Sequence, residues 1–166
     1  MASRRAIVAA LPAAALLAFA GGAPADTSHY GWPKIDGDLI MHKADESGPI
    51  TATKTRRHNE LLGGHGNDVI TGGHVGDVIW GDYKPSGQPT TQFDQLIGRG
   101  GRDFIYAGHG QNAIDAGPGR DVVHAHFGRG SIDCGAGRDT LFISHRSKPG
   151  YRIRHCEKVS FKTLGR

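Results

Sequence analysis

From Gly63 the chain repeats itself every nine residues, and that period limits it to folds in which one small unit recurs and stacks on its neighbours. The clearest copy is Gly63-Gly64-His65-Gly66-Asn67-Asp68-Val69-Ile70-Thr71. A second copy runs from Gly72 to Trp80, and after an interruption further copies start at Gly98, Ala107, Ala116, Ala125 and Cys134. The sixth position reads Asp68, Asp77, Asp94, Asp103, Asn112, Asp121, Gly130 and Asp139. The eighth reads Ile70, Ile79, Leu96, Ile105, Ile114, Val123, Ile132 and Leu141, aliphatic throughout. The 80 residues from Gly63 to Phe142, less an insertion of eight, make eight copies of nine, so the register survives the interruption. The Pro-, Gly- and Ser-bearing stretch Tyr83–Pro89 is therefore a surface loop, the eight inserted residues falling within the stretch 82–93 between Gly81 and Asp94.

Composition agrees with a turn-dense all-β chain. Glycine makes up 26 of 166 residues, and each glycine inside a helix costs about 1 kcal/mol relative to alanine. With 37% hydrophobic and 22% charged residues the chain is not a charged disordered polymer, and its length suits one domain. A net charge of +4, of which Arg4 and Arg5 carry two, is too small to indicate a nucleic-acid partner.

The pattern GGxGxDxUx, with U a large aliphatic residue, resembles the calcium-binding nonapeptide repeat of haemolysin-type (RTX) secreted proteins. One copy matches fully and the others in part, over residues 63–142. The resemblance implies an all-β parallel β-roll, a two-sheet β-solenoid of about four coils. Each repeat supplies a six-residue turn and a three-residue strand, so turns 18 residues apart stack on one edge. One edge then receives the turns ending at Asp68, Asp94, Asn112 and Gly130, and the second those ending at Asp77, Asp103, Asp121 and Asp139. It further implies Ca2+ held between adjacent turns by carboxylates and backbone carbonyls: at Asp77/Asp103, Asp103/Asp121 and Asp121/Asp139, with Asp68/Asp94 on the first edge. Calcium favours six to eight hard oxygens, which stacked glycine-rich turns can provide. The alternative is a metal-free roll in which the fifth-position residues Arg102, Arg120 and Arg138 neutralise the acids.

Strand side chains alternate, so with the eighth position inward the seventh and ninth face outward. On one sheet these are Val78, Phe104, Val122 and Thr140, with Trp80, Tyr106, His124 and Phe142 beside them. This aromatic face has two readings: a binding surface for an extracellular polysaccharide or protein, or a face buried by residues 26–62, which carry Tyr30, Trp32, Ile35, Leu39, Ile40 and Met41. Residues 26–62 are expected as an N-terminal cap and 143–166 as a C-terminal cap, since an open solenoid end exposes strand edges.

Residues 1–25 have the form of a secretory signal peptide: Arg4 and Arg5, an apolar run from Ala6 to Ala20, and Ala23-Pro24-Ala25 before Asp26. The run is shorter than the roughly 20 residues of a bilayer-crossing helix, and Ser3-Arg4-Arg5 leaves twin-arginine export open. The expectation is a secreted protein with no membrane span. Export favours a disulfide between the two cysteines, Cys134 and Cys156. The position-three histidines His65, His74 and His109 are expected to face solvent without converging. No HExxH or GxSxG occurs, so no enzyme activity is expected.

Overall fold

In the computed structural model, which describes residues 31–43, 45–83, 87 and 89–162, the repeat builds a β-solenoid. The stretch 1–25 expected as a signal peptide, Tyr30 and part of the inserted loop lie outside the described residues. The strands in chain order are β1 (Leu39–Met41), β2 (Gly48–Thr51), β3 (Glu60–Leu62), β4 (Asp68–Thr71), β5 (Val78–Trp80), β6 (Phe93–Ile97) and β7 (Phe104–Tyr106). There follow β8 (Gln111–Asp115), β9 (Val122–Ala125), β10 (Arg129–Asp133), β11 (Thr140–Ile143), β12 (Tyr151–Arg154) and β13 (Lys158–Ser160). Odd strands form a seven-stranded sheet and even strands a six-stranded one, every pairing parallel. Ile79 pairs with Ile105, Ile105 with Val123 and Val123 with Leu141, so the 18-residue coil holds and the insertion leaves the register intact.

The roll has about six coils rather than four, because residues 39–62 and 151–160 add strands to both sheets. Their inward positions stay aliphatic (Ile40, Ile50, Leu61, Ile153, Val159) while their turns lose the glycines that mark a copy. Leu39, Ile40 and Met41 therefore belong to a strand of the roll, with Leu39 and Met41 more than half exposed, and do not cover the aromatic face.

The eighth-position residues stack as two columns in one continuous core, Leu61, Ile70, Ile79, Leu96, Ile105, Val123 and Leu141 being fully buried. Each such side chain contributes about 1.5–3 kcal/mol by leaving water. First-position Ala116, Ala125 and Cys134 join this core, so their departure from glycine is a packing choice. Cys134 and Cys156 stand with Cα atoms 5.1 Å apart, bonded through sulfur, and tie β11's coil to the last one.

Outside the seven-stranded sheet, Trp80, Tyr106, His124 and Phe142 form one continuous ring stack, with centroid spacings of 4.0, 4.6 and 5.0 Å. Trp32 meets Trp80 and Tyr106 edge-on and donates its indole N–H to the Tyr106 hydroxyl at 2.8 Å. With Ile35 it closes a second apolar cluster over Val78, Phe104 and Val122. The segment before β1 thus covers this face at the level of β5 to β9. No helix among the described residues is long and apolar enough to cross a membrane.

Arg99 has φ = 73° at the turn position that Gly117 and Gly135 occupy in the next two coils, with φ of 88° and 87°. A side chain there costs about 1–2 kcal/mol. Arg99→Gly is expected to raise the unfolding free energy by about 1 kcal/mol, and Ile105→Ala to lower it by about 2–5 kcal/mol through a core cavity, both read from urea denaturation midpoints.

Candidate metal centre

At position six the chain leaves a glycine-rich turn and enters a strand, and there the side chain points into the roll beside the preceding coil's backbone. On the edge leading into the seven-stranded sheet this makes an unbroken ladder. The Asp77 amide donates to Asp103 Oδ1 at 2.7 Å, Asp103 to Asp121 at 2.8 Å, and Asp121 to Asp139 at 2.7 Å. The ladder reaches past the legible repeats: the Asp38 amide donates to Asn59 Oδ1 (2.8 Å), Asn59 to Asp77 Oδ1 (2.7 Å), and Asp139 to Glu157 Oε2 (2.8 Å). Sequence reasoning missed Asp38, Asn59 and Glu157. The signal was present for two of them, since Asn59 precedes Asp77 and Glu157 follows Asp139 by the same 18 residues.

Each rung uses one oxygen, and the fate of the other separates the candidate ligands. Asp77 has none spare: Oδ1 also accepts from the Asn59 amide side chain at 2.7 Å, and Oδ2 accepts from the Gly73 N–H at 2.5 Å. In Asp103, Asp121 and Asp139 the second oxygen is buried and has no hydrogen-bond partner. Asp103 is fully buried, and Asp121 and Asp139 are 1% exposed. A methyl group at Gly98 would lie 2.6 Å from Asp103 Oδ2 and 2.5 Å from the Ala116 carbonyl oxygen. The two oxygens thus flank a space that glycine keeps open, and their hard, anionic chemistry suits calcium.

The other edge degrades along the chain. The Asp68 amide donates to Asp94 Oδ1 at 3.0 Å, but Asp68 is itself saturated, by His42 Nδ1 at 2.8 Å and the Gly64 N–H at 2.9 Å. Asp94 keeps a buried, unpartnered Oδ2. Asn112 instead contacts the Tyr151 hydroxyl at 3.2 Å, and that hydroxyl donates to the Phe127 carbonyl at 2.9 Å, closing this edge with an aromatic side chain.

Arg102, Arg120 and Arg138 do not neutralise the ladder. All three are exposed, none forms an ion pair with it among the described residues, and Arg102 lies over the Phe104 ring at 4.8 Å. The reason is geometric: position five points away from the interior that position six enters. Of the position-three histidines, His74 is exposed, whereas His65 faces Asp45 at 3.4 Å and His109 stacks on Phe127 at 4.5 Å. Among the described residues no three His, Cys, Asp or Glu side chains converge as a metal-binding group. A cation on the ladder would draw on the unpartnered carboxylate oxygens and on backbone carbonyls such as that of Ala116.

Without a cation these carboxyls resist ionisation. Burial, reinforced by the charges of Asp121 and Asp77 and opposed by the Asp77 N–H, pushes Asp103 up to about 8. Burial with the Asp139 charge raises Asp121 to about 7, burial raises Asp94 to about 8, and Asp139 shifts the same way.

The fold and site define a parallel β-roll with a buried acidic ladder along one edge. Residues 55–82 and 90–123 match the family model of the RTX calcium-binding nonapeptide repeat, in four copies. No curated protein and no solved structure matches the chain.

Carboxyls with a raised native pKa bind more protons folded than unfolded, so their stabilisation is full below about pH 4 and is lost as pH rises through 7 to 8. His124, held down at about 4 mainly by burial, acts oppositely below pH 6.5. In chelator, the melting temperature is expected to fall as pH rises from about 5 to about 8, unopposed by His124 above about 6.5, and saturating calcium to abolish that fall, as followed by circular dichroism.

Proposed function

We propose that this chain is an exported calcium-binding β-roll whose folded state is stabilised by Ca2+ held on the Asp103–Asp121–Asp139 edge. The observation that carries this reading is the series of buried, unpartnered carboxylate oxygens, one per coil, with the first two lying in matched copies of the repeat. A bound ion supplies the positive charge that lets these groups stay ionised. Asp103 and Asp121 bridge coils through Oδ1 and offer Oδ2, while the Ala116 carbonyl adds a neutral oxygen beside Asp103. Export, drawn from residues 1–25, delivers the chain to a compartment where calcium is plentiful and disulfides persist. The role is binding and structural, with no catalysis.

An ion that binds only the folded roll stabilises it by about 2.7 kcal/mol per site at a hundredfold excess over Kd. Calcium titration of the metal-stripped protein, followed by melting temperature, is expected to show a concentration-dependent rise. Asp121→Asn keeps an Oδ1 acceptor for the Asp103 amide, so it is expected to melt in chelator at or above the wild-type temperature yet lose most of the calcium response. Asp77→Asn replaces an oxygen that accepts an N–H and is expected to lower stability with or without calcium. An unaltered melt of the wild type across the titration would overturn the reading.

A further inference from the structure

The two edges of the roll use their turns differently. The third position of the first edge's turns carries rings, His65, Tyr83, His109, Phe127 and His145, and the last three of these belong to the coils that have lost the carboxylate, at Asn112, Gly130 and Tyr151. The acidic edge has Gly100, Pro118 and Ala136 at the equivalent places in its central coils. Coil-to-coil spacing follows the strand spacing of about 4.8 Å, so these positions form a strip along the roll, in which His109 and Phe127 are in ring contact while His145 stacks on Phe161 at 3.9 Å and His65 faces Asp45. Phe127 is 55% exposed and lies flat against His109 at 4.5 Å, giving the strip a rigid aromatic plate.

Beside this plate runs a groove of about 710 Å³, lined by Thr90, His109, His126, Phe127, Arg129 and Arg146 among others. A smaller hollow of about 140 Å³ continues it past His126 to Asp82, Tyr106 and Trp80. Two ring nitrogens on the hollow's wall, Trp80 Nε1 and His126 Nδ1, are buried without a hydrogen-bond partner. Arg129 and Arg146 are exposed at the groove, and among the described residues no carboxylate lines its larger part. The required ligand therefore combines an apolar face for the ring plate with negative charge for the guanidiniums.

We infer that this groove is a binding site for an acidic polysaccharide, a uronate-type sugar chain lying along the ring strip with its carboxylates toward Arg129 and Arg146. It goes beyond calcium binding and uses residues of the opposite edge. A nucleic acid fits less well: Phe127 and His109 already stack on each other and leave no gap for a base, and two arginines are few for a phosphate track.

The test is isothermal titration of the full, calcium-loaded chain with a hyaluronan decasaccharide, with chitohexaose and oligothymidylate as comparators. Hyaluronan is expected to bind with an affinity that falls with salt. Phe127→Ala and Arg146→Gln are each expected to weaken it roughly tenfold, at unchanged melting temperature and calcium response. The double variant Arg120→Gln/Arg138→Gln removes two exposed charges from the opposite edge and is expected to bind like the wild type. Absence of hyaluronan binding, an equal loss in that double variant, or tighter binding of chitohexaose or oligothymidylate would each overturn the inference. Because calcium response and melting are read on the same samples, failure of the calcium reading is distinguishable from failure of this one.

Discussion

The roll hangs on one contact, a position-six side-chain oxygen accepting the backbone N–H of the preceding coil. Six such bonds run from Asp38 to Glu157 and bridge every successive pair of coils on that edge. The contact requires a short acceptor turned inward at the end of a tight turn, and an aspartate there brings a second oxygen into the same dry space. An ionised carboxylate left unpaired in a protein interior costs several kcal/mol. The device that joins the coils thus creates a need for positive charge or a proton, and the folded state becomes linked to both.

The chain meets that need differently along its length. Toward the N-terminus protein donors saturate the acids, with Asn59 and Gly73 on Asp77 and His42 and Gly64 on Asp68. In the middle and C-terminal coils of the acidic edge, Asp103, Asp121 and Asp139 keep a bare oxygen. On the opposite edge the acid is lost beyond Asp94, and Tyr151 contacts Asn112 where the later coils have no carboxylate. A single repeat thereby yields donor-saturated, cation-demanding and apolar turns within one solenoid. The outer ring stack complements this, because Trp80 to Phe142 ties the same coils together by dispersion from outside the sheet while Trp32 shields its first members.

Much of this architecture was legible in the sequence because a solenoid turns period into space. The constancy of the eighth position identified the core columns, and the 18-residue spacing sorted Asp77, Asp103, Asp121 and Asp139 onto one edge, where the strand register puts them. The outer coils were less legible, since Arg56-Arg57-His58-Asn59 and His155-Cys156-Glu157 keep the acceptor and lose the glycines. A search keyed to glycine passes over such turns even where the hydrogen bond is unchanged.

The amino-acid order by itself determined the repeat, the all-β class, the inward aliphatic columns and the ring column, because each follows from local period and side-chain alternation. Only the tertiary structure decided which oxygens are free. Gly73 caps Asp77 from within its own turn, but Asn59 arrives from the previous coil and His42 reaches Asp68 from 26 residues away. The fifth-position arginines sit beside the acids in sequence yet point to solvent. Neighbouring coils and the direction of each side chain set the charge balance of a buried carboxylate, and neither is written in a nine-residue pattern.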